Sequence, residues 1–205
     1  MNIKRLKLIY GIVCIVLLQG LQAYAANRYW VGNNSNKNWN TTANWSATSG
    51  GAAGASVPGA SDSVYFNSGG VGQVILDINI TVLKLTMESS YTDTIKQNGK
   101  AITTTVNGML LNGGTFLGST GNIVVSGHLI IAGTNFISTS SVLTISRDYY
   151  FTSGSFIHNN GTVRFSGAAT QNTRIISGST NFYDLLLSPS ANIVYLFNTA
   201  SIFNV

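Results

Sequence analysis

The chain has 205 residues, a formal net charge of +5, and only 8% charged residues against roughly 25% in an ordinary globular domain. Of its 11 Lys and Arg, three (Lys4, Arg5 and Lys7) sit at the extreme N-terminus, which leaves eight to face six acidic residues. So small a surplus excludes the basic footprint of a nucleic-acid or anionic-membrane binder, and 44% hydrophobic residues at regular spacing exclude a disordered chain.

Residues 1–25 read as a secretory signal peptide: the basic start, the apolar run Leu8 to Leu18, then the small-x-small site Ala23-Tyr24-Ala25 with cleavage after Ala25. The alternative is a membrane anchor, but Gln19, Gly20 and Gln22 break the apolar run short of the roughly 20 residues a span needs. The expectation is a secreted or cell-surface protein with no membrane span after cleavage. Cys14 is the one cysteine, so the mature chain of about 180 residues has no disulfide and must be held by packing and backbone pairing.

Residues 26–72 form a Trp-rich N-terminal cap. It holds Tyr29-Trp30-Val31-Gly32, Asn38-Trp39 and Asn44-Trp45-Ser46, a Gly/Ala/Ser loop, then Val57-Pro58-Gly59 and a predicted strand Asp62 to Phe66. Residues 73–205 are read as β-solenoid coils. Val74-Ile75-Leu76 and Ile80 to Leu85 open them, Tyr91 to Lys100 is a weaker match, and from Ile102 each coil carries three short apolar stretches between small or polar residues.

The coils are legible because side-chain type repeats at a step of 20 residues. Phe116, Phe136 and Phe156 form one column, continued by Ile176 and Leu196. Ile123, Leu143, Val163, Tyr183 and Phe203 form a second, and Val125, Ile145, Phe165, Leu185 and Val205 a third. A fixed period of this length marks stacked repeats. Alternation along a strand then points the 123 and 125 columns inward and the more polar 124, 144, 164 column outward. Ser126, Ser146 and Ser166 are expected to stack as a hydroxyl ladder. An antiparallel sandwich also has short, regularly spaced strands, but it predicts no repetition of side-chain type at a fixed lag. The fold class is therefore all-β, a right-handed parallel β-helix, its hand taken from the general rule for parallel crossovers. Val205 is a core-column residue at the last position, and solenoids need caps, so the sequence is expected to be the N-terminal part of a longer repeat protein whose chain continues beyond Val205. The other reading makes the open end an assembly surface.

The cap motifs, the Val57-Pro58 to Tyr65-Phe66 stretch, and coil segments such as Gly161-Thr162-Val163-Arg164-Phe165-Ser166-Gly167 and Ser179 to Leu185 resemble large secreted repeat proteins of bacteria that use the type IX secretion route. The resemblance covers most of residues 27–187. It implies an adhesin-like surface or secreted protein, with surface glycans or other cell-surface proteins as partners. The C-terminal sorting domain of such proteins is absent here. Asp62-Ser63-Val64 and Asp93-Thr94-Ile95 are similar to the short O-glycosylation motif of such bacteria.

Candidate chemistry is sparse. Polysaccharide-cleaving β-helices need clustered carboxylates, and the acids here (Asp62, Asp77, Glu88, Asp93, Asp148 and Asp184) do not cluster in the clear register. His128 and Asp148 lie one period apart, beside Arg147, and stacking would place them within hydrogen-bond reach; they are the catalytic candidates, against a plain turn pair. Two histidines without a cysteine in the mature chain make no metal set, and no Gly-Lys-Ser/Thr follows the glycine runs, so neither metal nor cofactor is expected. Trp30, Trp39 and Trp45 are ligand-binding candidates if their rings are exposed to stack on sugars; otherwise they plug the end of the first coil. The expected function is an exported, non-catalytic structural or adhesive module, with a carbohydrate-active or glycan-binding β-helix as the alternative.

Overall fold

A computed structural model describes residues 25–167, 173–188, 194–197 and 203–204. The signal-like segment before Ala25, and Val205, lie outside the described residues. The chain is a β-solenoid of about six turns with coils of about 21 residues. Each turn lays three short strands on three faces, and equivalent strands pair in parallel from one turn to the next.

On the first face Asn27–Trp30 pairs with Ser63–Phe66. Lys84–Met87, Met109–Leu111 and the leading halves of Leu129–Ile137 and Tyr149–Ile157 follow in order. The second face stacks Val74–Ile75, Thr94–Lys96 and Thr115–Leu117 on the trailing halves of the same two long strands. The third stacks Ile80–Val82, Ile102–Thr104, Ile123–Val125, Val142–Ile145, Thr162–Phe165 and Asp184–Leu187.

Alternation within these strands supplies the core. Ile123 and Val125 are fully buried and Val124 between them is not, a pattern repeated by Leu143 and Ile145 around Thr144 and by Val163 and Phe165 around Arg164. Phe116 stacks on Phe136 at 5.1 Å between ring centroids, and Phe136 meets Phe156 at 5.6 Å. Each such ring pair contributes about 0.5–1.5 kcal/mol beyond the area it buries. The hydroxyl ladder is present at one corner: Ser146 Oγ lies 3.2 Å from Ser166 Oγ. The backbone repeats the same step along this corner: the amides of Thr105, Ser126, Ser146, Ser166 and Ser188 each donate to a carbonyl of the coil before.

The constant step of 20 holds only in the middle of the stack. Leu185, not Tyr183, lies opposite Val163, and Leu187, not Leu185, lies opposite Phe165. Ile176 lies opposite Tyr149 rather than continuing the Phe156 column, and Leu196 lies opposite Ile175. Tyr183 and Leu196 are accordingly more than half exposed, at 53% and 51%. Ladder pairing fixes which strand residues face one another but leaves the corners free to take extra residues, so a longer corner shifts every later column.

The expected boundary at residues 72 and 73 does not coincide with a break in the sheet. Asn27–Trp30 and Ser63–Phe66 are already rungs of the first face, separated in sequence by a long excursion. That excursion covers the sheet edges, which would otherwise present unpaired amides and carbonyls. Trp45–Ser46 pairs antiparallel on Asn27–Trp30, and Asn38 bridges to Ile75 at the edge of the second face. Asn44 organises the excursion from inside: its Nδ2 donates to the carbonyls of Asn36 and Asn38, and its Oδ1 accepts from the Asn34 amide.

Thr104 tests how the stack is held. It occupies the core column between Val82 and Val125, is fully buried, and its Oγ1 has no hydrogen-bond partner. A buried, unsatisfied hydroxyl costs about 1–3 kcal/mol. Thr104→Val keeps the shape and removes that cost, so it should stabilise the protein by about 1 kcal/mol in denaturant unfolding. A destabilised variant would show that Thr104 has a partner.

Candidate functional site

His128 and Asp148 sit at the corner that leads into the first face, immediately before Leu129 and Tyr149. Because Leu129 and Tyr149 are ladder partners, the residues before them are stacked too. The sequence expectation of proximity holds: His128 Nδ1 lies 3.1 Å from Asp148 Oδ2. The contact is at ion-pair distance but is not aligned as a hydrogen bond, and Nδ1 is shielded without another polar partner. The imidazole is 37% exposed and the carboxylate 12%.

Asp148 is also engaged by the scaffold. Its Oδ1 accepts the Ile175 amide at 2.8 Å, and its Oδ2 is the distant acceptor, at 3.4 Å, for the Tyr150 hydroxyl. Ile175 belongs to the strand Thr173–Ser177, which enters after the lengthened corner, so Asp148 staples that strand onto the stack. Arg147, next in sequence, is half-buried and forms no ion pair among the described residues. The corner therefore brings an imidazole beside a carboxylate, one oxygen of which is already held by the backbone.

The other aspartates are likewise held by the scaffold. Asp62 accepts the amides of Ala26 and Gly59, Asp77 that of Asn40, and Asp93 that of Gly72, while Asp184 accepts the Thr162 hydroxyl. Asp62 and Asp93, from the two glycosylation-like triplets, are thus both tied to backbone. Among the described residues no three His, Cys, Asp or Glu gather where a metal ion could sit, and no helix is long and apolar enough to cross a membrane.

Of the two roles open to the tryptophans, plug or sugar platform, burial leaves the plug. Stacking on a sugar needs a ring face in solvent, and Trp30, Trp39 and Trp45 are all 0% exposed. They pack edge-to-face, Trp39 on Trp45 at 4.7 Å and Trp30 on Trp45 at 5.2 Å, and all three reach Phe66. Trp45 Nε1 donates to the Trp39 carbonyl at 2.7 Å. They close the N-terminal end of the core instead of offering a platform. A concave surface that sequence reasoning missed lies outside the second face: an open cleft of about 430 Å³ lined by Ile75, Lys96, Asn98, Leu117, Gly118 and Ser119. Its walls come from the outward residues of three successive rungs, a juxtaposition visible only once the 21-residue register of those rungs is known.

Three phenols report on this packing. Burial pushes Tyr91 well above the ordinary range, with the Asp93 charge adding to it, and pushes Tyr149 up against a hydrogen bond with Thr180 that acts the other way. Tyr150 is raised by burial first, then by the charge of Asp148 and the hydrogen bond to it. Each phenol stays neutral in the folded chain to higher pH than in the unfolded one, whose phenols ionise near pH 10. Their contribution is fully present below about pH 10 and is lost as pH rises above it. The midpoint of urea unfolding should hold up to that pH and then fall; a flat profile between about pH 10 and 12 would contradict this assignment.

No protein-family model, curated protein or solved structure matches the chain.

Proposed function

We propose that this chain is an exported structural module, a short β-solenoid that presents its outer faces at the cell surface or in the surroundings as an adhesive or spacing element, without catalytic activity. The observation that carries the reading is the continuous stack: from Trp30 to Phe165, one buried column set runs through successive turns while the polar groups are spent on joining coils. A surface so built keeps its shape without disulfides, and its outward columns of Thr, Ser and Asn suit contact with surface glycans or other surface proteins. The signal-like residues 1–25 and the resemblance to secreted, adhesin-like repeat proteins supply the export part of the reading.

The test is to express the whole chain in a bacterium with a type IX system, treat intact cells with protease, and probe cells and medium with an antibody. Protein in the medium, or removed from intact cells by protease, agrees with the reading; protein protected until lysis defeats it. The second reading, a carbohydrate-active β-helix, draws on the His128–Asp148 contact. It requires polysaccharide turnover that is abolished in His128→Ala while the thermal midpoint stays unchanged.

A further inference from the structure

Asp62 is the most enclosed carboxylate in the described part of the chain, at 7% exposure, and no Lys, Arg or His among the described residues forms an ion pair with it. Its Oδ2 accepts the Gly59 amide at 2.9 Å, and its Oδ1 accepts the Ala26 nitrogen at 3.1 Å. Arg28, two residues beyond Ala26, is turned away toward Ser56 and the Asn27 carbonyl. A buried carboxylate ordinarily has a cation or a full set of donors. Here one of its two donors is the atom that becomes the chain terminus if the signal peptide is cut after Ala25.

We infer that Asp62 is the receptor for the chain's own processed N-terminus. Hydrolysis of the Ala25–Ala26 bond by a signal-peptide protease adds water across it: Ala25 leaves with a carboxylate, and the Ala26 nitrogen takes up protons to become an α-ammonium. That nitrogen is already within hydrogen-bond distance of Asp62 Oδ1, so cleavage turns an amide-to-carboxylate contact into an ion pair without moving the backbone. Ala25 is exposed, which leaves the bond open to a protease. The inference rests on the export reading given above.

The location gives the pair its effect. Ala26 and Asp62 are the residues before two paired rungs, Asn27–Trp30 and Ser63–Phe66, whose register begins at Asn27 opposite Ser63. The Ser63 amide donates to the Ala26 carbonyl at 2.9 Å, and the Leu83 amide donates to the Asp62 carbonyl at 2.8 Å, so the pair sits where three successive turns meet. An ion pair there closes the long excursion that carries the tryptophans, and makes the finished N-terminal end more stable after export than before it.

The experiment replaces Ala23-Tyr24-Ala25 in the whole chain with the recognition sequence of a specific protease that leaves Ala26 as the first residue. The same protein is then melted uncut and cut. Charged hydrogen bonds contribute more than neutral ones, so cutting should raise the thermal midpoint by roughly 2–5 °C at pH 7. The rise should vanish in Asp62→Asn. Acetylating the new α-amino group of the cut wild-type chain should abolish it as well, which keeps the test decisive if Asp62→Asn does not fold. No rise on cutting, or a rise that survives acetylation, overturns the inference. The two readings fail separately: protein protected in cells until lysis overturns export, whereas an exported chain that begins elsewhere than Ala26, or at Ala26 without the stability gain, overturns the capture alone.

Discussion

Trp45→Ala should destabilise the protein by about 3–5 kcal/mol, the range for emptying a buried aromatic site. The indole is fully buried among Trp30, Trp39 and Phe66, and its Nε1 satisfies the Trp39 carbonyl. The truncation therefore leaves a large cavity and an unpaired buried acceptor together. It also loosens the short strand Trp45–Ser46 that covers the edge of Asn27–Trp30, so the loss should reach the first two rungs. Trp45→Phe fills most of the cavity but cannot donate, and should cost about 1–3 kcal/mol. Val106→Ala, at a position 56% exposed, serves as the control and should change stability by no more than about 0.5 kcal/mol. Urea denaturation followed by tryptophan fluorescence reads all three. A Trp45→Ala variant as stable as the control would mean that the tryptophan cluster does not close the core.

The second large effect belongs to Gly108, in the corner beneath His128. Gly108 has φ of 69°, in the left-handed region, and a Cβ built there would lie under 3.0 Å from both the nitrogen and the carbonyl oxygen of His128. Those atoms belong to backbone that is itself fixed, since the His128 carbonyl accepts the Met109 amide at 2.9 Å. Gly108→Ala therefore meets a conformational cost of about 1–2 kcal/mol and a clash that only separation of two coils relieves. The expected loss is at least about 2 kcal/mol in the urea midpoint. Because the displaced peptide carries His128, the same variant should move the His128 backbone amide resonance in NMR. Gly54, with positive φ but open space around it, should tolerate alanine better.

Much of the fold was legible in the residues. The columns of Ile123, Leu143 and Val163 and of Phe116, Phe136 and Phe156 survive as ladder partners because a stacked coil places equivalent positions in contact, and contact selects similar side chains. Alternating polarity around 124, 144 and 164 gave the inward face for the same reason. The reading failed where it assumed that the step was constant. Ser63–Phe66 joins Asn27–Trp30 across a lag too long for any repeat search, and the corner after Phe165 shifts Ile176 and Leu185 out of their expected columns.

The candidate site divides in the same way. The step of 20 residues by itself places His128 and Asp148 side by side, since both fall within the regular stretch. It could not show that Ile175 would claim one oxygen of Asp148, because that contact is made by a strand from beyond the lengthened corner. Nor could it say whether three tryptophans face out or in: the composition of Trp30, Trp39 and Trp45 is equally compatible with a sugar platform and a plug.

What the sequence determined by itself is the class of object, a stack of parallel coils with a β-branched and aromatic interior. Periodicity is a local property, and stacking at a fixed spacing converts it directly into contacts. Long-range packing instead sets how the excursion from Val31 to Asp62 folds back on the first turns. It buries the tryptophans, covers two sheet edges and brings the Ala26 nitrogen to Asp62. Those contacts join residues with no repeating relation in the chain. They are set by which open edge and which unpaired carboxylate remain to be satisfied once the coils have stacked.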